Sequence, residues 1–293
     1  MATFTPRGWR LVRLGGNSEP RLGAIDPAAP QVVRELRERD PIAALRRGLA
    51  AGAAEAVGEH TADDAATLAG LPLVAPLAPE EIWAAGVTYE RSRSARVEES
   101  ESAADVYDRV YEAERPEIFL KDAGCRRTVG PNEPVGVRGE STWTVPEAEL
   151  GLVLGADGEI LAFIGGNDLT ARDIEAANPL YIPQAKLFAA CCAIGPAVLV
   201  PDDPGAPLEI SVRIWDTAGT LVNEDGTSTS KLHRTLEDLA GWCVRENPVP
   251  DGTVLLTGTG IVPPDEVALA PGYRVEVEVE GIGILANPVR AAS

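Results

Sequence analysis

Val145-Pro-Glu147-Ala-Glu149-Leu-Gly-Leu-Val-Leu154, then Gly155-Ala-Asp-Gly158, then Glu159-Ile-Leu-Ala-Phe-Ile164-Gly-Gly-Asn-Asp168 reads as two strands joined by a tight turn. The two-residue period of a strand places Glu147 and Glu149 on one face, with Ala148, Leu150, Leu152 and Leu154 on the other. A turn centred on Ala156-Asp157 sets Glu147 opposite Gly166 and Glu149 opposite Ile164. Asp168 then falls on the carboxylate face, diagonal to Glu147 at roughly 7–8 Å between α-carbons. Gly165-Gly166 is a natural place for a bulge that bends the strand toward Glu149. Three carboxylates on one face repel one another unless a cation neutralises them. Oxygen-only ligands suit a hard divalent ion, Mg²⁺ first, with Mn²⁺ or Ca²⁺ as substitutes. A solvated face is the competing reading of any Glu-x-Glu pair, as at Glu276-Val-Glu278 later in the chain. The polar run that follows, Gly165-Gly-Asn-Asp168-Leu-Thr-Ala-Arg172-Asp173 and then Gln184-Ala-Lys186, favours a site.

Working outward, short strands with turn punctuation continue from Ile82: residues 208–215, 254–258 and 273–279, the last with a clear two-residue alternation. In this later part of the chain, helical periodicity is limited to residues 97–114 and 230–244. This predicts a mixed, predominantly β core with peripheral helices. The first fifty residues carry nine arginines against five acids, a local +4 that leaves −23 on the remainder. With the Pro-rich stretch 71–79, this charge asymmetry predicts a small N-terminal α+β domain over residues 1–75 and a catalytic domain over 80–293. Helical patches are expected within the small domain at 42–54 and 60–68. No Gly-x-Gly-x-x-Gly opens a helix after a strand and no P-loop is present, so nucleotide-binding folds lack support.

The 293 residues, 45% of them apolar, suffice for a sizeable core. A net charge of −19 repels phosphate backbones and anionic headgroups, which argues against nucleic acid and membrane partners. No apolar run is long enough to span a bilayer, and residues 1–13 lack an apolar signal core. The four cysteines offer neither a disulfide framework nor a Cys-x-x-Cys metal spacing, consistent with a reducing cytoplasm. Only three of the 26 basic residues are lysines, Lys121, Lys186 and Lys231. In an arginine-biased chain, a retained lysine is a candidate for work that needs a compact or titratable cation. Chance survival on the surface is the bland alternative for any one of them.

Several stretches together resemble the fumarylacetoacetate hydrolase family: Pro116-Glu-Ile-Phe-Leu-Lys121, Glu147-Ala-Glu149-Leu, Gly166-Asn-Asp168-Leu-Thr-Ala-Arg172-Asp173, Ala185-Lys186, Ile194-Gly-Pro196 and Leu256-Thr-Gly-Thr259-Gly. They keep the family's order from about Ile82 to the C-terminus. The resemblance implies a fumarylacetoacetate hydrolase-like twisted β-roll core and a Mg²⁺ or Mn²⁺ held by Glu147, Glu149 and Asp168. It also implies a 2-oxo acid substrate and assembly as a homodimer or homotetramer. Lys186 would reach the bound substrate, Thr259 would hydrogen-bond its carboxylate, and Lys121 counts among the substrate-binding side chains.

The family's carbon–carbon hydrolases carry Asn-Tyr-x-x-His in a lid, where this chain reads Thr88-Tyr89-Glu90-Arg91-Ser92. Ser92 stands in place of the histidine. This lid resembles the family's sugar-acid branch, which implies dehydration of 2-keto-3-deoxy-arabinonate to 2,5-dioxopentanoate and water. Glu117 and Lys186 are the expected acid–base pair, with Arg91, Ser92 and Arg96 gripping substrate from the lid. An acylpyruvate or fumarylpyruvate-type hydrolase is the second reading, and a non-catalytic metal-binding oligomeric protein the third.

Overall fold

The computed structural model describes residues 4–16, 19–99 and 104–292, except for the side chains at 96–99 and 104–105. Its spine is a twelve-stranded sheet. From one edge the order is Gly58–Thr61, Val32–Glu35, Arg21–Ile25, Gly8–Leu14, Cys192–Pro201, Ile160–Asp168, Ala148–Leu154, Thr253–Leu256, Glu81–Gly86 and Glu117–Ala123. Leu73–Val74 and Thr128–Val129 pair beside this path. A second sheet of five strands runs Leu221–Ser228, Glu209–Trp215, Arg274–Val279, Gly283–Ala291 and Val135–Val137. The expected predominantly β architecture is what the chain adopts.

Alternation explains how the sheets stack. Leu150, Leu152, Leu154 and Phe163 of the long sheet share one core with Ile210, Val212, Ile214, Val275, Val277 and Val279 of the short one. The opposite face, with Val153, Ala162, Ile164, Val254 and Leu256, buries Ala44, Leu49 and Ala53 from the helices Pro41–Arg47 and Leu49–Ala54. Glu276 and Glu278 are not the solvated pair that their alternation suggests: Glu276 is buried, Glu278 is half-buried, and Arg213 bridges them at 3.3 and 2.9 Å.

Residues 1–75 bring their strands to the same sheet as the later chain, with Trp9 opposite Val200 and Leu11 opposite Val198. Arg10 is almost wholly buried and donates to the carbonyls of Pro30 at 2.7 Å, Ala65 at 2.9 Å and Ile282 at 3.4 Å. Burial lowers its pKa to about 10, so it stays charged at neutral pH.

Several local expectations are corrected. The patch at 60–68 is the strand Gly58–Thr61 followed by a turn, in which the Asp64 carboxylate accepts from the backbone of Ala66 and Thr67 at 3.0 and 2.8 Å. Side-chain acceptors of this kind compete with helix formation. The patch at 42–54 breaks at Gly48, whose φ of 90° ends one helix before the next begins. Of the helix expected at 97–114, the described residues show helix through Glu99 in Glu90–Glu99 and again in Ala104–Glu112, and residues 100–103 lie outside the described residues. The late helix starts only at Leu236, capped by Thr235, which leaves His233 in the turn before it. Pro146 divides the first strand of the hairpin, so Thr144–Val145 pairs with Thr170–Ala171 instead.

The hairpin register also differs from expectation. Gly158, at φ 86°, lengthens the turn, and a bulge falls between Val153 and Leu154. Glu149 therefore faces Gly166, two residues from the expected partner. Asp168 comes directly across from Glu147, whose carbonyl accepts from its amide at 3.0 Å. The irregularity expected at Gly165-Gly166 lies between Ile164 and Gly165, in the pairing with Cys192–Pro201. A β-carbon on Gly165 would sit 2.7 Å from the Gly195 carbonyl oxygen, so only glycine permits that approach.

Replacing Arg10 with Met should remove three charge-assisted hydrogen bonds and lower stability by about 3 kcal/mol or more, measured by urea unfolding. A loss below about 1 kcal/mol would show that those carbonyls find other donors.

Candidate active site

The site lies where the acidic hairpin meets the edge strands of the long sheet. Glu147, Glu149 and Asp168 are all buried, and each offers an oxygen within 4.8 Å of the others. The ladder sets Glu149 and Asp168 on adjacent strands, and the chain entering the ladder carries Glu147. Gly258, at φ 87°, turns its amide onto Glu149 at 2.7 Å. Burial, then the charges of Asp168 and Glu147, push the Glu149 pKa well above the usual carboxylate range.

Three cations surround this cluster. Lys186 donates to Glu147 at 2.6 Å and to Asp168 at 2.9 Å. Arg172 donates to Glu147 at 3.2 Å. Lys121, wholly buried, pairs with Asp168 and donates to the carbonyls of Lys186 at 2.6 Å and Leu169 at 3.0 Å. Burial is the largest influence on the Lys121 ammonium and works against it, yet Asp168, together with the neighbouring Cys191 and Cys192, holds the pKa above the ordinary lysine value. Local sequence delivers Lys186 accurately. Asn178 caps the turn Pro179–Tyr181, Pro183 opens the helix Ile182–Lys186, and Lys186 is its last residue.

A pocket opens onto the cluster, lined among others by Gly86, Ser92, Glu117, Phe119, Glu147, Arg172, Glu175, Lys186, Thr259 and Val262. Glu117, Lys186, Ser92 and Thr259 are thus brought together as expected, beside the cation-ligand candidates. Ser92 Oγ donates to the Tyr89 carbonyl at 2.8 Å, and Thr259 Oγ1 to the Ala148 carbonyl at 2.9 Å. Two expected contacts lie elsewhere. Lys121 sits behind the cluster and outside the pocket lining, so it reaches Asp168 rather than the opening. Arg91 lines a neighbouring, more open cleft, paired with Asp225 at 2.8 Å and donating to the Val262 carbonyl at 3.1 Å. The Arg96 side chain lies outside the described residues. Neither histidine lines the pocket: His60 stands 3.5 Å from Glu35, and the His233 ring stacks on Tyr111 at 4.2 Å.

Sequence reasoning gave no role to Gly86, Arg172 or Glu175. A β-carbon on Gly86 would lie 2.1 Å from Glu117 Oε2, so this glycine makes room for the carboxylate. Arg172 and Glu175 follow Asp168 within two helical turns, and their i, i+3 spacing on a polar segment is the signal that marks them.

The donor set is three buried carboxylates, with oxygen ligands only. It fits a hard divalent cation, because Glu149 has no lysine or arginine among its described ion pairs and is the carboxylate left to be neutralised.

Residues 81–290 match the fumarylacetoacetate (FAA) hydrolase C-terminal family. The chain belongs to the fumarylacetoacetate hydrolase family. It is 49% identical over 216 residues, 73% of each chain, to a Haloferax volcanii protein named "Probable 2-keto-3-deoxyxylonate dehydratase". It is 41% identical over 220 residues, again 73% of each chain, to the 2-dehydro-3-deoxy-D-arabinonate dehydratase of Saccharolobus solfataricus. A solved structure of 2-keto-3-deoxy-D-arabinonate dehydratase complexed with magnesium and 2,5-dioxopentanoate is similar at a TM-score of 0.82 and 34% identity. The match covers 96% of this chain and 99% of that one, so the N-terminal strands are part of the likeness.

A cation held by these carboxylates separates two substitutions that otherwise look equivalent. Glu149→Gln should cost about 1 kcal/mol or less in stability while weakening Mg²⁺ or Mn²⁺ binding at least about tenfold, measured by calorimetric titration. Asp168→Asn should be destabilising as well, by about 3–5 kcal/mol, because it strands the buried Lys121 charge. Undiminished ion binding by the Glu149 variant would remove it from the ligand set.

Proposed function

We propose that this protein is a Mg²⁺-dependent hydro-lyase that converts a 2-keto-3-deoxy pentonate, 2-keto-3-deoxy-arabinonate, to 2,5-dioxopentanoate and water. The observation that carries the reading is the placement of the Lys186 ammonium. It touches Glu147 and Asp168 in a pocket that also presents Glu117 and has no histidine among its lining residues. The named relatives and the magnesium- and product-containing structural neighbour support the same chemistry.

Glu147, Glu149 and Asp168 would hold the cation. When bound, it draws electron density from a chelating 2-oxo acid and so acidifies the C3 protons. Lys186 keeps a compact positive charge beside the 2-oxo oxygen, where negative charge gathers as the C3 proton leaves. Glu117 takes that proton and returns it to the departing C4 hydroxyl, which leaves as water. Transfer of a C5 proton to C3 then gives an enol at C4–C5, and gain of a proton at C4 with loss of the enol hydroxyl proton yields the C5 aldehyde. Thr259 and Ser92 lie where they can orient the carboxylate and the hydroxylated tail. The hydrolytic alternative needs a base to activate water. A serine hydroxyl, already engaged by the Tyr89 carbonyl, does not serve as one near neutral pH.

Among the described residues no helix is long and apolar enough to cross a membrane. The four free cysteines support a cytoplasmic setting. The exposed Leu180 and Tyr181, 84% and 44% accessible, support assembly into a homodimer or homotetramer.

With Mg²⁺ present, 2-keto-3-deoxy-arabinonate should disappear with formation of an aldehyde, while acylpyruvates are cleaved far more slowly. Fast acylpyruvate cleavage together with inertness toward every deoxy sugar acid would reverse the reading. Lys186→Arg should be nearly as damaging as Lys186→Ala, each lowering kcat by about 100-fold or more, because a planar guanidinium does not fit where an ammonium touches two carboxylates. An Arg variant with most of the wild-type rate would show that charge alone suffices.

A further inference from the structure

The pocket at the cation cluster has a neighbour, the more open cleft that Arg91 lines. Ala95 and Val262 bound both cavities, and they are the two residues common to the described linings. Ala95 belongs to the helix Glu90–Glu99, and Val262 to the loop that follows Thr259. Open space is about 30 Å³ on the pocket side and about 340 Å³ on the cleft side. Two compact apolar side chains thus stand between a tight pocket and a roomy cleft.

Both sides of this partition are fixed. On the loop side, the Ile261 amide donates to Thr259 Oγ1 at 3.1 Å, and the Val262 carbonyl accepts from Arg91 at 3.1 Å. Pro263 and Pro264 restrict the backbone that follows. On the helix side, the Arg93 amide donates to the Tyr89 carbonyl at 3.0 Å, which sets the first turn. Arg91 lies one turn before Ala95 on that helix, and Asp225 holds its guanidinium at 2.8 Å. A single guanidinium therefore ties the helix that carries Ala95 to the loop that carries Val262.

We propose that Ala95 and Val262 form a septum that sets substrate length, admitting the five-carbon 2-oxo acid and excluding chains of six carbons or more. This inference rests on the reading of the pocket as a 2-oxo acid site. The carboxylate and oxo group place C1 and C2 at the cation cluster, which the pocket meets through Glu147 and Lys186. A five-carbon chain then has three carbons left to place on the pocket side. A longer chain has to displace the septum or pass between its two side chains. Displacement breaks the contacts of Arg91 with Val262 and Asp225, and passage overpacks a space that is already tight. Apolar walls discriminate by volume, and one surplus methylene in a closed pocket costs about tenfold or more in binding. Trimming either side chain joins the pocket to the cleft.

The test titrates full-length protein loaded with Mg²⁺ by calorimetry against unbranched 2-oxo acids, from pyruvate to 2-oxooctanoate, which carry no hydroxyl to eliminate. Binding should tighten about threefold for each methylene up to 2-oxopentanoate, then weaken at least about tenfold at 2-oxohexanoate. The ratio of those last two dissociation constants is the reading taken on the variants. Val262→Ala should lower it at least about fivefold, and Ala95→Gly should do the same from the helix side. Wild-type protein that binds 2-oxohexanoate and 2-oxooctanoate as tightly as 2-oxopentanoate overturns the proposal without any variant. An unchanged ratio in either variant, folded by circular dichroism, overturns the assignment of that residue to the septum. A maximum at any other chain length leaves the function reading standing and removes the inference, whereas binding of none of the acids removes both.

Discussion

Everything at the centre of this molecule depends on charge balance among side chains that are almost wholly buried. Glu147, Glu149 and Asp168 lie buried together, and Lys121, Lys186 and Arg172 close on them from three sides. Removing an ion from water costs several kcal/mol even after relaxation, and an unpaired one is not tolerated at such depth. Each cation is therefore tied to a carboxylate, and Glu149, which has no described ion pair, has its pKa pushed well above the usual range by burial and its acidic neighbours. The hairpin must hold its register to the residue, since a slip of one would turn the acidic set into the apolar core. The bulge between Val153 and Leu154 and the close approach of Gly165 to Gly195 hold that register on both sides of Ile160–Asp168.

Much of this was legible in the sequence because the signals were periodic. Alternation along 145–154 and 159–168 gave both the hairpin and the face that its carboxylates occupy. The turn is longer than the alternation implies: Gly158 takes a left-handed conformation, and the pairing shifts by two residues. Two is an even number, so the carboxylates stayed on their face and the site survived the error. A one-residue error would have destroyed it. The His60 region shows the opposite case, where local hydrogen bonding by Asp64 defeated a helical pattern that composition alone supported.

What escaped the sequence depended on contacts between distant segments. Arg172 and Glu175 gain their place because Asp173 anchors their helix to Ser141 and Thr142, some thirty residues earlier. Nothing local announces that pairing. Arg91, in a charged lid, was expected to reach substrate, but Asp225 from the five-stranded sheet holds its guanidinium on the neighbouring cleft. Gly86 could not be read at all without knowing that Glu117 lies across the ladder from it.

The three lysines bring the composition and the geometry together. Lys231 is exposed, and the bland account of chance survival suits it. Lys121 and Lys186 lie in one network, and Lys121 shows why arginine does not substitute there. Its ammonium has three N–H bonds and finds three acceptors, the Leu169 carbonyl, the Lys186 carbonyl and Asp168, in a space fully closed to solvent. A guanidinium would bring five donors in a rigid plane and leave some of them unmet. The same three contacts tie Asp168, on the acidic hairpin, to the last residue of the helix that delivers Lys186. Lys121 thus sets the spacing between a cation-ligand candidate and the ammonium that faces the pocket, although it touches neither the pocket nor anything bound in it.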